Sequence, residues 1–345
     1  LLATLVLSAP AVAGPAKAAG STPDDRGTLL HADRAMLRGA VEDVLRRPNL
    51  AGARIGVHVV DVATGETVYA HESEDLLNPA SNVKLVTTAG VLSRLGPEYR
   101  FATEFSCSDG PWKGSCGTLF VKGKGDPVLY TERLFAIVGE LFHRGVRKVN
   151  DIVIDDSYFD DVREGPGWEQ ETGDRPYLAP AGAFSINHNA IAVYVGPGDG
   201  ERQRARVEVE PASDHFKVEN ATVTVGRRSR MGVGVRTIPE GDATRIVVRG
   251  RIPAGRETTV LYRRVTNPPM YAGETLKAML KARGVAVRGK VRSGTVPAEA
   301  RLVFTSLSPP LSEIVRELNK HSNNFIAEQL LKTLGAEVYG PPATW

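Results

Sequence analysis

Between about residues 100 and 305 the chain is built from short runs of alternating apolar and polar residues, each bounded by Gly, Pro or Asp. GTLFVKG, VNDIVIDD, NAIAVYVGP, RVEVEP, ATVTV and TRIVVRGRI are the clearest. Helical spacing flanks this β-type region on both sides. Before it, residues 21–34 read as a polar, flexible stretch, and RAMLRGAVEDVLRRP (34–48) as a helix that Pro48 ends. ARIGVHVVDVATGETVYAHE then divides at Ala63-Thr64-Gly65 into two strands, and NPASNVKLVTTAGVLSRLG (78–96) reads as a well-buried helix closed by Gly96-Pro97. After it, SPPLSEIVRELNKHSNNFIAEQLLKTLGA repeats apolar residues at helical spacing, with Gly335 as the expected stop. ERLFAIVGELFHRG and YAGETLKAMLKARG are helical breaks within the β region. This order fits an α/β domain, a sheet with helices on both sides, interrupted by a large mainly-β insertion. Its parts are residues 34–100, the insertion 101–305, and 306–345.

Residues 1–20, LLATLVLSAPAVAGPAKAAG, form an apolar run too short to span a bilayer, followed by small-residue sites of the kind at which a secretory signal ends. With neither an initiator Met nor a basic leader, this reads as a partial signal peptide. The chain is therefore expected to be exported, to the periplasm or cell envelope, with no transmembrane helix in the mature protein. In that setting Cys107 and Cys116, on either side of a Gly/Pro turn, are expected to pair as a disulfide. The 43 basic and 40 acidic residues are interspersed, which leaves no polybasic tract for nucleic acid. The seven histidines are scattered, so neither a metal nor any other cofactor is expected.

The chemistry points to Ser81 and Lys84. Three positions apart on a helix, their side chains share a face and can meet. Val83, Leu85, Val86, Ala89, Val91, Leu92 and Leu95 make the rest of that helix apolar. Burial disfavours the ammonium, lowers the lysine pKa and leaves an amine able to take the serine proton. The plain alternative is a lysine that snorkels to solvent beside an early-helix serine. Far downstream, His321-Ser322-Asn323-Asn324 lies between two helical stretches. Ser322 and Asn324 there supply a hydroxyl for proton transfer and an amide for holding a peptide group, or else a helix cap.

An S-x-x-K near the amino end followed by a distant S-x-N is part of the signature of penicillin-binding proteins and serine β-lactamases. With GKGDPVL (123–129), IVIDDSYFDD (152–161), GPGW (165–168), YLAPAGAFSINHNAIAVYVGP (177–197) and the 308–340 segment, the chain resembles the exported D-alanyl-D-alanine carboxypeptidase/endopeptidases. These are low-molecular-mass penicillin-binding proteins with inserted domains. The resemblance implies Ser81 as acylated nucleophile, Lys84 as its base, Ser322 as proton relay and Asn324 as a substrate-backbone contact. It also implies that the Ser81 N–H is half of an oxyanion hole, and that Asp155, with Phe159 nearby, recognises the amino end of the stem-peptide side chain. Asp156 is the neighbouring candidate, and a strand-end turn is the alternative role for either aspartate. The implied partners are peptidoglycan stem peptides, with β-lactams as covalent inhibitors. A non-catalytic peptidoglycan-binding scaffold and a serine β-lactamase are the competing readings. The family's third element, K-T-G, is expected after S-x-N. Lys332-Thr333-Leu334-Gly335 has an extra residue, and Arg292-Ser293-Gly294-Thr295 precedes S-x-N. The sequence therefore reads as truncated at both ends, and residues 1–345 alone are expected to turn over poorly.

Overall fold

The structure, a computed structural model, describes residues 23–345 except 63, 110–113 and 169–170, with side chains described from residue 33. The signal segment 1–20 lies outside the described residues. The described residues fall into two units, one ending at Ala80 and the other beginning at Ser81. In the first, helix α1 (Pro23–Leu45) precedes an antiparallel hairpin of β1 (Val57–Val60) and β2 (Thr67–His71). The helix already includes the described residues from Pro23 on, well before the expected residue 34. At the hairpin turn the Gly65 N–H bonds the Asp61 carbonyl at 2.8 Å.

A 3-10 turn, Ala80–Asn82, carries the chain into the second unit, where α2 (Val83–Leu95) follows. The chain then enters a mixed sheet through β3 (Ala102–Cys107) and antiparallel β4 (Ser115–Gly123). It crosses by α3 (Thr131–His143) to β5 (Lys148–Asp155), parallel to β4. Such a parallel pair needs a crossover of this length, and a helix provides it. Cys107 and Cys116 form a disulfide joining β3 to β4, with Cα atoms 5.3 Å apart. Two smaller sheets follow. In one, β6 (Ala190–Gly196) lies between β7 (Arg206–Glu210) and β11 (Thr259–Arg264). In the other, β10 (Ala243–Pro253) lies between β8 (Phe216–Val225) and β9 (Gly232–Glu240). After α4 (Pro268–Ala282) the chain returns to the first sheet. There β12 (Ala286–Val287) and β13 (Val291–Ser293) pair with β5, and β14 (Arg301–Leu307) pairs with β3.

The entry and exit of this long excursion run side by side. Ala102 pairs with Leu307, the Phe101 N–H donates to Ser308 Oγ at 2.9 Å, and the Ser308 N–H donates to the Phe101 carbonyl at 2.9 Å. The chain then forms α5 (Leu311–His321) and α6 (Asn324–Tyr339), which pack with α2. Leu311, Ile314, Val315 and Leu318 make one apolar face of α5, buried with Val91, Phe101, Ile326 and Leu330.

Gly335 does not stop α6, which runs on to Tyr339 and ends at Gly340, in the left-handed region at φ 89°. A Cβ at Gly335 would come within 3.3 Å of the Thr344 carbonyl, so the glycine lets the following segment lie close against the helix. Among the described residues no helix is long and apolar enough to cross a membrane.

Candidate active site

Ser81 lies in the 3-10 turn before α2 and Lys84 in the first turn of α2, and that helix is not apolar and buried all round. Its buried face is Lys84, Thr88 and Val91, at i, i+4 and i+7, whereas Val83, Leu85 and Val86 are exposed. Lys84 is nonetheless only 7% exposed. Its burial comes from the chain between α5 and α6 rather than from an apolar sleeve.

That junction is made by a strained residue. Ser322 follows α5 in the left-handed conformation, φ 52° and ψ 40°, a position where glycine is usual. The turn aims both the carbonyl and the hydroxyl of Ser322 at Lys84. Nζ lies 3.1 Å from Ser81 Oγ, 2.9 Å from the Ser322 carbonyl, 3.2 Å from Ser322 Oγ and 2.5 Å from Asn324 Oδ1. The orientation of the Asn324 amide is set at its other end, where Nδ2 donates to the Tyr177 carbonyl at 3.3 Å. Two of the four neighbours of Nζ, the Ser322 carbonyl and Asn324 Oδ1, can only accept. A neutral amine has two N–H groups for these, and its lone pair is then left for a hydroxyl. Burial pushes the Lys84 pKa below its ordinary value, and the Glu328 carboxylate partly opposes this. Ser81, by contrast, is exposed.

Glu328 and its support were not legible in sequence. It lies one turn along α6 from Asn324 and accepts from Trp168 Nε1 at 3.0 Å, across 160 positions of chain. Burial pushes its carboxyl pKa up, while Trp168, Lys84 and Lys332 pull it down. A cavity of about 1190 Å³ borders Ser322 and Asn324 and extends past Tyr177 and His188 to Tyr194 and Tyr262.

Asp155 and Phe159 are not gathered around Nζ. The Asp155 carboxylate is 1% exposed and closes a strand-end turn. It accepts from the Ser157 N–H at 3.1 Å, Ser157 Oγ at 2.6 Å and the Val296 N–H at 2.9 Å, with Lys122 Nζ at 3.7 Å. Phe159 is buried and lies under Lys332, two turns along α6 from Asn324. Asp156 pairs with Arg163 and accepts from the Phe184 N–H. The Asp155 side chain thus closes a strand-end turn, whereas that of Asp156 ties Arg163 to the Phe184 N–H instead of closing a turn. Among the described residues no group of His, Cys, Asp and Glu is arranged to hold a metal ion.

The fold is that of the penicillin-binding proteins. The crystal structure of penicillin binding protein 4 (dacB) from Haemophilus influenzae matches it with a TM-score of 0.69 at 21% identity, over 84% of this chain and 64% of that one. The chain belongs to the D-Ala-D-Ala carboxypeptidase 3 (S13) family, whose sequence pattern it matches over residues 37–345. It is 34% identical over 319 residues to a D-alanyl-D-alanine carboxypeptidase of Actinomadura sp. (strain R39), covering 90% of this chain and 59% of the relative. It is 24% identical to the D-alanyl-D-alanine carboxypeptidase DacB of Haemophilus influenzae, covering 85% and 61%. The chain thus spans about three-fifths of the length of these relatives. The Haemophilus protein has also been solved in complex with a β-lactam, a structure matching with a TM-score of 0.64.

Proposed function

We propose that the protein is a serine-type D-alanyl-D-alanine carboxypeptidase/endopeptidase of the cell envelope, acting on peptidoglycan stem peptides through an acyl-enzyme on Ser81. The observation that carries this is Lys84 Nζ, desolvated and within hydrogen-bond reach of the hydroxyls of both Ser81 and Ser322. Ser81 Oγ attacks the carbonyl of the penultimate D-alanine as Nζ takes its proton. The tetrahedral anion is met by the Ser81 N–H, half of an oxyanion hole. Collapse breaks the peptide bond, and the proton passes from Nζ through Ser322 Oγ to the departing amine, leaving an ester on Ser81. Water then attacks the ester by the same base. Asn324 holds the peptide backbone, and the cavity bordering Ser322 and Asn324 gives room for the rest of the stem peptide. Recognition of the stem-peptide side chain by Asp155 and Phe159 belongs to this reading only as a family expectation.

Labelled penicillin given to the full-length protein is expected to form a covalent adduct on Ser81 that is lost in Ser81→Ala. No adduct, or an adduct on another residue, sinks the proposal and leaves the scaffold reading. Loss of the adduct within seconds would identify a β-lactamase instead.

The pH dependence of acylation tests the electrostatics. The Glu328 charge favours the ammonium form of Lys84, so Glu328→Gln removes a stabiliser of the protonated base. The Lys84 pKa then falls further, and the acid limb of the acylation profile is expected to move to lower pH. An unmoved limb, or one moved to higher pH, would show that Glu328 does not act on the base.

A further inference from the structure

Asn187, His188 and Asn189 have φ of 50°, 55° and 51°, three consecutive non-glycine residues in the left-handed region. Such residues occur singly and at a cost, and strained backbone persists only where its surroundings over-determine it. Here they do. Asn187 Oδ1 accepts from the Thr131 N–H at 2.9 Å, and its Nδ2 donates to Thr131 Oγ1 at 2.6 Å. Asn189, fully buried, donates to the Pro180 carbonyl at 2.7 Å and to Ser185 Oγ at 2.8 Å. The two flanking asparagines hold the turn. The middle residue, freed from that task, extends its ring from the inserted region to the S-x-N loop.

The ring makes a contact whose direction chemistry fixes. His188 Nδ1 lies 3.2 Å from Asn323 Nδ2. The other end of that amide is already engaged, since Asn323 Oδ1 accepts from the Ile326 N–H at 3.1 Å and caps α6. The amide therefore presents its donor to the ring, so Nδ1 must be an unprotonated acceptor and the proton sits on Nε2. Nε2 is 3.0 Å from Tyr130 Oη, and Tyr130 directs its own O–H to Glu317 Oε1 at 2.5 Å. Donation runs one way, from His188 to Tyr130 to the Glu317 carboxylate.

We propose that His188, as the neutral Nε2–H tautomer, is a positioning residue for the Ser322–Asn324 loop. It acts through Asn323 to keep Ser322 and Asn324 on Lys84. The assignment of a catalytic loop rests on the serine acylase reading above, while the tautomer and the cap do not. A protonated ring would present a second donor to the Asn323 amide. That amide would then have to turn, placing its NH₂ against the Ile326 N–H and uncapping α6 beside Asn324. The groups facing the ring are Tyr130 at the head of α3, Glu317 of α5, and Asn323 and Phe325 at the start of α6. Glu132 and Asp126 act on Tyr130 in turn. Burial holds the His188 pKa below its ordinary value against the pull of Glu317, in keeping with a neutral ring near pH 7.

Two measurements on the full-length protein decide it. Nitrogen NMR of the labelled ring is expected to show protonated Nε2 and bare Nδ1 at neutral pH, and the Ile326 amide is expected to exchange at least about tenfold faster in His188→Phe. The opposite tautomer, or unchanged exchange, overturns the proposal whether or not Ser81 is acylated. Given acylation, His188→Phe is expected to slow labelling of Ser81 by about 10- to 100-fold. His188→Gln, which keeps an acceptor, is expected to recover most of the rate. Below the His188 pKa the wild-type rate should fall with two protons, and that of the Gln variant with one. Wild-type labelling by the Phe variant would overturn the catalytic part.

Discussion

Lys84→Met is expected to slow covalent labelling of Ser81 by penicillin about 10²- to 10⁴-fold, the usual worth of a general base. The side chain is replaced by one of similar length, so the loss is one of chemistry rather than of space. Met leaves the hydroxyl of Ser81 with no group able to take its proton, and it breaks the route to Ser322 Oγ. Stability should change little, within about 1 kcal/mol, because two terms oppose each other. Removing a desolvated amine is favourable, whereas Asn324 Oδ1 and the Ser322 carbonyl lose a donor. Ser322 is exposed, so water can supply a substitute. Labelling within tenfold of wild type, measured on full-length protein with an unchanged unfolding transition, would remove Lys84 from the role assigned to it.

The second large effect concerns Lys332, the other buried lysine among the described residues. Lys332 is 1% exposed, and its Nζ lies 2.5 Å from Asp160 Oδ1 and 2.6 Å from the Val162 carbonyl. The rings of Phe159 and Trp345 flank it, with centroids 5.4 Å and 4.9 Å from Nζ. Asp160→Ala removes the carboxylate paired directly with a buried ammonium and is expected to destabilise by about 3 kcal/mol. Adding Lys332→Met is expected to restore most of that loss, because an apolar side chain asks for no partner. Denaturant titration of the single and double variants measures both. If the double variant is no more stable than Asp160→Ala, the cost arises elsewhere, for instance in the Asp160 bond from the Val162 N–H. With its Nζ buried against Asp160 and the Val162 carbonyl, Lys332 of Lys332-Thr333 is not presented to a substrate carboxylate.

What the sequence disclosed and what it withheld follow from the range of the interactions involved. Ser81 and Lys84 are tied by helical spacing, and Ser322 and Asn324 by a short motif, so both halves of the site can be read locally. That they meet, 238 positions apart, was legible only through the family resemblance. The exposure of Val83, Leu85 and Val86 was misread because an apolar residue reveals its preference and not what lies over it. The run to Tyr339 was missed because a glycine within a helix and one ending it look alike until the neighbouring backbone is seen. Glu328 and His188 gave no periodic signal. Each matters through a partner distant in sequence, Trp168 for one and Asn323 for the other. In Asn187-His188-Asn189 the two asparagines, tolerant of left-handed backbone, were the available hint.

The neighbouring backbones at Phe101 and Ser308 have a consequence for how such proteins diversify. A segment whose two stems lie a hydrogen bond apart can be lengthened, trimmed or exchanged without pulling on its host, since closing it demands nothing new of either end. Length can then change within the excursion at no cost to its closure, whereas Trp168, Tyr177 and His188, which reach Glu328, Asn324 and Asn323, stay bound to the geometry of the S-x-N junction.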